Sequence, residues 1–80
     1  MSAKTITFET VASRVAGVLR VPESGLTPQT KMRDLSADSF MLVEMVIDLQ
    51  EEFDAVFSQA RLREVDDLGE LVELLQSSAA

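Results

Sequence analysis

Between Phe40 and Asp54 the apolar residues Leu42, Met45, Val46, Leu49 and Phe53 recur at intervals of three and four, which places them on one stripe of an α-helix. Glu44, Asp48 and Glu51 fall on a second, solvated face of the same helix. A stripe of this kind has to be buried against other helices, so it sets the terms for the rest of the chain. No segment shows the alternation of a half-buried strand, and no internal repeat or low-complexity tract is present.

The remaining elements follow the same period. A first helix starting near Thr7 carries Phe8, Val11, Val15, Val18 and Leu19 inward and ends before Pro22. Residues 22–31 hold both prolines and one of the three glycines, so they read as a loop, with Leu26, Met32 and Leu35 pinned into the core. The central helix is expected from Ser39 to Phe53, and a brief third one around Gln59 to Glu64, with Phe57 plugging the core beneath the intervening loop. A last helix capped by Asp66 or Asp67 continues through Leu68, Leu71, Val72, Leu74 and Leu75. Gly69 lowers helix propensity in its first turn, which predicts a loose start, and Ser77–Ala80 are expected to fray. The expected fold is all-α: a small four-helix bundle of three longer helices and one short helix, forming a single domain over residues 1–80.

Composition narrows the chemistry. Eighty residues leave no room for a second core or a deep substrate cavity. The chain has neither cysteine nor histidine, which removes disulfides, Ser-His and Cys-His nucleophiles and the usual zinc sites. A net charge of -7, from 14 acidic against 7 basic side chains, argues against nucleic acid and for basic protein partners. No apolar run approaches bilayer length, and Met1–Thr5 lacks the hydrophobic core of a secretory signal, so a cytoplasmic location with no membrane partner is expected, and a domain this small and acidic is expected to be a monomer. A serine hydrolase would also need a Gly-x-Ser-x-Gly elbow, and a calcium loop would need alternating oxygen ligands around a glycine; neither pattern is present.

The most informative junction is Asp34-Leu35-Ser36-Ala37-Asp38-Ser39-Phe40, where the loop gives way to the central helix. The first turn of a helix has unpaired N–H groups and favours an oxygen cap and negative charge, so a phosphodiester on Ser39 would be well accommodated. Read from these residues alone, the favoured role of Ser39 is that of an ordinary helix cap, with Asp38 competing for the same job.

This run, followed by Val43-Glu44 and Leu49-Gln50-Glu51-Glu52-Phe53-Asp54, resembles the acyl carrier protein family, whose signature is Asp-Leu-Gly-Ala-Asp-Ser-Leu before a helix ending in Glu-Glu-Phe. The likeness covers nearly the whole chain. It implies a non-catalytic four-helix carrier with 4'-phosphopantetheine attached to Ser39, holding acyl intermediates as thioesters. It further implies that Asp38 helps orient the modifying phosphopantetheinyl transferase or its metal-bound cofactor donor. By the same resemblance, Glu44, Asp48 and Glu51 dock onto basic patches of acyltransferases, ketosynthases or related biosynthetic enzymes, and Val43 and Ile47 add apolar contact. Met41 and Met45 are flexible enough to repack around a sheltered acyl chain, although ordinary core packing accounts for both.

Departures from the family pattern point to specialised metabolism. Ser36 stands where glycine is usual, Phe40 replaces leucine, and Arg61 and Arg63 occupy positions that are typically acidic in primary fatty-acid carriers. These changes favour a carrier of a polyketide or mixed polyketide and peptide pathway, with partners of a different charge map. Two alternatives remain: a peptidyl carrier loading an amino acid, against which Ser36-Ala37-Asp38 resembles the acyl type, and an unmodified helical interaction module.

Overall fold

The computed structural model describes residues 5–35 and 38–78. Met1–Lys4, Ser36, Ala37 and the terminal Ala79–Ala80, on which some of the expectations above fall, lie outside the described residues.

The first helix, α1 (Phe8–Leu19), is fixed at its start by a reciprocal cap: the Thr10 N–H donates to Thr7 Oγ1 at 3.2 Å, and the Thr7 N–H donates to Thr10 Oγ1 at 3.0 Å. It stops at Arg20, whose left-handed backbone (φ 59°) turns its N–H back onto the Ala16 carbonyl. The expected stripe is buried at Val11 and Val15, joined by Ala12 and Ala16, while Phe8, Val18 and Leu19 are half-buried at its ends.

The connection between α1 and the central helix, expected as a loop over residues 22–31, is more ordered than its prolines suggest, both within that loop and just after it. Glu23–Gly25 forms a 3-10 turn, and Met32–Leu35 forms a one-turn helix, α2. Both turns are closed by local hydrogen bonds, Leu26 N–H to the Glu23 carbonyl and Asp34 N–H to the Lys31 carbonyl. Leu26, Met32 and Leu35 are pinned against the core as their apolar character predicts. The three longer helices are therefore accompanied by two short ones, α2 and α4 (Gln59–Arg63), rather than one.

The central helix α3 (Ser39–Phe53) has the expected bounds. It buries Met45, Val46, Leu49 and Phe53, with Leu42 half-buried at the edge of the stripe. It ends at Asp54, also left-handed (φ 52°), and the chain turns inward again at the fully buried Ala55. Phe57 is half-buried against the core, and Ser58 caps α4 by accepting from the Arg61 N–H.

The last helix, α5 (Leu68–Ser78), begins after Asp67, whose Oδ1 accepts from the Glu70 N–H at 2.9 Å. Its start is held tightly, contrary to the loose start expected from Gly69. The Leu68 N–H donates to the Thr30 carbonyl and the Gly69 N–H to the Pro28 carbonyl, both at 2.9 Å, while the Met32 N–H donates to the Asp66 carbonyl at 2.9 Å. A Cβ on residue 69 would lie 3.1 Å from the Pro28 carbonyl oxygen, so glycine allows this approach of loop to helix. Helix α1 packs against both α3 and α5, and the core they enclose is filled by Val11, Val15, Met45, Leu49, Leu68, Leu71 and Leu75.

Candidate functional site

The junction before α3 resolves the competition between its two capping candidates. Asp38 takes the cap: its backbone is extended (φ -100°, ψ 107°), its Oδ1 accepts from the Phe40 N–H at 2.9 Å, and its carbonyl accepts from the Leu42 N–H at 3.3 Å. Ser39 is then the first residue of the helix, exposed to solvent, and its hydroxyl has no hydrogen-bond partner among the described residues. An aspartate and a serine in this order divide the work, the carboxylate satisfying the backbone and the hydroxyl remaining free.

The surroundings suit a phosphodiester on that oxygen. The first-turn N–H groups and aligned peptide dipoles of α3 present partial positive charge where Ser39 sits, and no acidic residue lies in that first turn. Because Ser39 is exposed, a long substituent can leave the surface without displacing any core side chain. Met41 is half-buried near this end, whereas Met45 is fully buried and belongs to the core.

The outer surface of α3 carries the residues expected to meet partners. Phe40, Val43 and Ile47 are 66%, 52% and 52% exposed, and helical geometry aligns them in one ridge leading away from Ser39. Glu44 and Glu51 border that ridge, both exposed and without a charged partner among the described residues. Asp48 differs from them. Its carboxylate is held side-on by Arg14 of α1, with Nε donating to Oδ2 at 2.6 Å and Nη2 to Oδ1 at 3.0 Å, and Arg14 also reaches Glu52 at 3.7 Å. The hydrogen bond to Asp48, followed by the nearby charges of Asp48 and Glu52, raises the guanidinium pKa further above its ordinary value.

Arg61 and Arg63 lie elsewhere, exposed on α4, an element that packs on α5. Arg61 borders a shallow depression shared with Glu64 of the α4 end and Glu70 and Glu73 of α5. An open groove of about 930 Å³ runs beside α1, lined by Ser13, Gly17, Val18, Glu52 and Phe53 among others, at the opposite end of α3 from Ser39. Two contributors to the α3 surface were not assigned to it from sequence. Phe40 could have been found there by extending the Val43 and Ile47 face back one turn. Arg14 carries no such signal, because its partner is 34 residues away in the chain.

Comparisons with known proteins bear on this site. A family model described as a phosphopantetheine attachment site matches residues 9–75. The chain is 32% identical over 77 residues to an acyl carrier protein of Thermotoga maritima, covering 95% of each chain. It is 33% identical over 76 residues to a chloroplastic acyl carrier protein of Brassica napus, covering 94% of this chain and 57% of that protein. Phosphopantetheine is accordingly the covalently attached prosthetic group. With a matching family model over most of its length and a 32% identical relative matched over 95% of each chain, this chain belongs to the acyl carrier protein family, whose members carry intermediates and do not catalyse their conversion.

Proposed function

We propose that this protein tethers acyl intermediates as thioesters on a 4'-phosphopantetheine arm attached to Ser39, and presents them to partner enzymes of polyketide or fatty-acid-type biosynthesis. The observation that carries this reading is the division of roles at α3, in which Asp38 caps the helix and leaves Ser39 exposed, its hydroxyl without a hydrogen-bond partner among the described residues. In loading, Ser39 Oγ gives up its proton and forms a phosphodiester with the phosphate of coenzyme A that bears pantetheine, and adenosine 3',5'-bisphosphate departs. When attached, the arm supplies a terminal thiol for thioester exchange. The residues of this chain anchor that arm, keep the anchor at a helix terminus that tolerates its charge, and offer the α3 surface to successive enzymes. A tether raises the local concentration of the intermediate at each docked enzyme, so brief, weak docking is sufficient.

The partners of this reading are a phosphopantetheinyl transferase and then acyltransferases, ketosynthases or related enzymes. They meet Val43, Glu44, Ile47 and Glu51 on α3, whereas Asp48, expected beside them from the sequence, is already engaged by Arg14, and Arg61 and Arg63 alter the charge map on α4. The exposed Arg61 and Arg63 and the exposed Phe40 support a specialised pathway over a housekeeping one. On this reading the carrier acts as a cytoplasmic monomer; no helix among the described residues is long and apolar enough to cross a membrane.

Intact-protein mass spectrometry tests the attachment. After incubation with a phosphopantetheinyl transferase and coenzyme A, the wild type is expected to gain one phosphopantetheine and Ser39→Ala none. Failure of the wild type with several transferases would favour the unmodified interaction module, and gain by Ser39→Ala would move the attachment to another residue.

A further inference from the structure

The acidic residues of α3 are not equivalent. With successive residues about 100° apart around a helix, Glu44 and Glu51 lie within about 20° of one another beside the Phe40, Val43 and Ile47 ridge. Asp48 and then Glu52 lie farther round, toward α1. Arg14 spans these last two, one helical turn apart, and gives Asp48 both of its planar donor directions. The side chains of Asp48 and Glu52 are 28% and 22% exposed, so each is also partly covered. A cation on an approaching protein would have to displace a guanidinium already in place to use Asp48.

Resting on the docking reading above, we infer that Arg14 is a specificity-determining residue: it withholds Asp48 and Glu52 and restricts the docking face to an apolar ridge flanked by Glu44 and Glu51. The partner surface that fits is an apolar seat for Phe40, Val43 and Ile47 with cations placed for those two carboxylates. A partner whose cations follow the acidic side of α3 through Asp48 to Glu52 meets Arg14 instead, and that like-charge encounter disfavours it. Charge complementarity supports a basic partner, since the chain as a whole carries a net charge of -7.

Loading kinetics provide the test, using the unmodified protein, coenzyme A and a phosphopantetheinyl transferase that contacts carriers through a basic surface. Arg14→Gln releases two carboxylates and is expected to raise kcat/KM roughly threefold at low salt, mainly through KM, with the gain disappearing at about 0.5 M salt. Arg14→Lys, which keeps the charge, should stay near wild type, and Asp48→Asn should load like wild type because that carboxylate was already withheld. The double reversal Glu44→Lys with Glu51→Lys should load at least about tenfold more slowly. Slow loading by the double reversal alongside wild-type rates for Arg14→Gln at every salt concentration would overturn the role of Arg14 and leave the docking face standing. Wild-type loading by the double reversal would overturn the docking face itself. A several-fold loss in Asp48→Asn would also overturn the inference, and this variant serves if Arg14→Gln fails to fold. Circular-dichroism melts of these variants should stay within about 3 °C of wild type, as expected for exposed ion pairs.

Discussion

Asp38 and Ser39 are adjacent polar residues of similar capping propensity, and the fold assigns them different work. The Asp38 carboxylate reaches the Phe40 N–H, which places Ser39 one step inside the helix with its oxygen outward. Sequence could name both residues as candidates and could not choose between them, since either order of cap and first helical residue satisfies the local preferences. Two substitutions separate the cap from the charge. Asp38→Ala should destabilise the domain by about 1 kcal/mol in urea unfolding through loss of the cap. Asp38→Asn should retain most of that stability, because asparagine caps comparably, yet load more slowly with a transferase if the carboxylate orients the enzyme or its metal-bound donor. Equal loading by Asp38→Asn and wild type would confine Asp38 to a structural role.

At the scale of elements, the three long helices were legible because their apolar spacing states both their period and their buried side. The short elements were less so. The 3-10 turn and α2 contain three and four residues, too few for periodicity to appear, and their hydrogen bonds form because Leu26, Met32 and Leu35 are anchored in the core. The end of α1 shows a local conflict that tertiary structure overrides: Arg20 occupies a left-handed conformation (φ 59°) that L-residues adopt at a cost. Arg20→Gly removes that cost at a helix end where glycine is favoured. It should stabilise the domain by about 0.5–1 kcal/mol, after allowing for the greater entropy of glycine in the unfolded chain. A lower urea midpoint in the variant would show that the arginine side chain makes a larger contribution than its backbone conformation costs.

For the whole molecule, closure depends on joining residues 28–32 to residues 66–69. Backbone bonds from Met32, Leu68 and Gly69 are supplemented there by an ion pair between Lys31 Nζ and Asp66 Oδ2. The Lys31 hydrogen bond and charge hold the Asp66 carboxyl below its ordinary pKa. A carboxyl whose folded pKa is depressed contributes stability above its unfolded pKa, and that contribution is lost as pH falls through the folded value. Wild type should therefore melt above Asp66→Asn at pH 6, and the difference should narrow below about pH 4. A gap that stays constant across this range would mean that the contribution of Asp66 does not depend on its charge.

The order of residues alone determined the helical class, the buried stripes and the position of the junction at Ser39, because each follows from local periodicity or capping chemistry. Only the packed chain decided the pairing of Asp66 with Lys31 and of Asp48 with Arg14, the close approach of Gly69 to Pro28, and the release of the Ser39 hydroxyl by its neighbour. Most of these depend on contacts between residues about 34 to 41 positions apart, whose approach is set by how α1, α3 and α5 share one core rather than by any preference written locally in the chain.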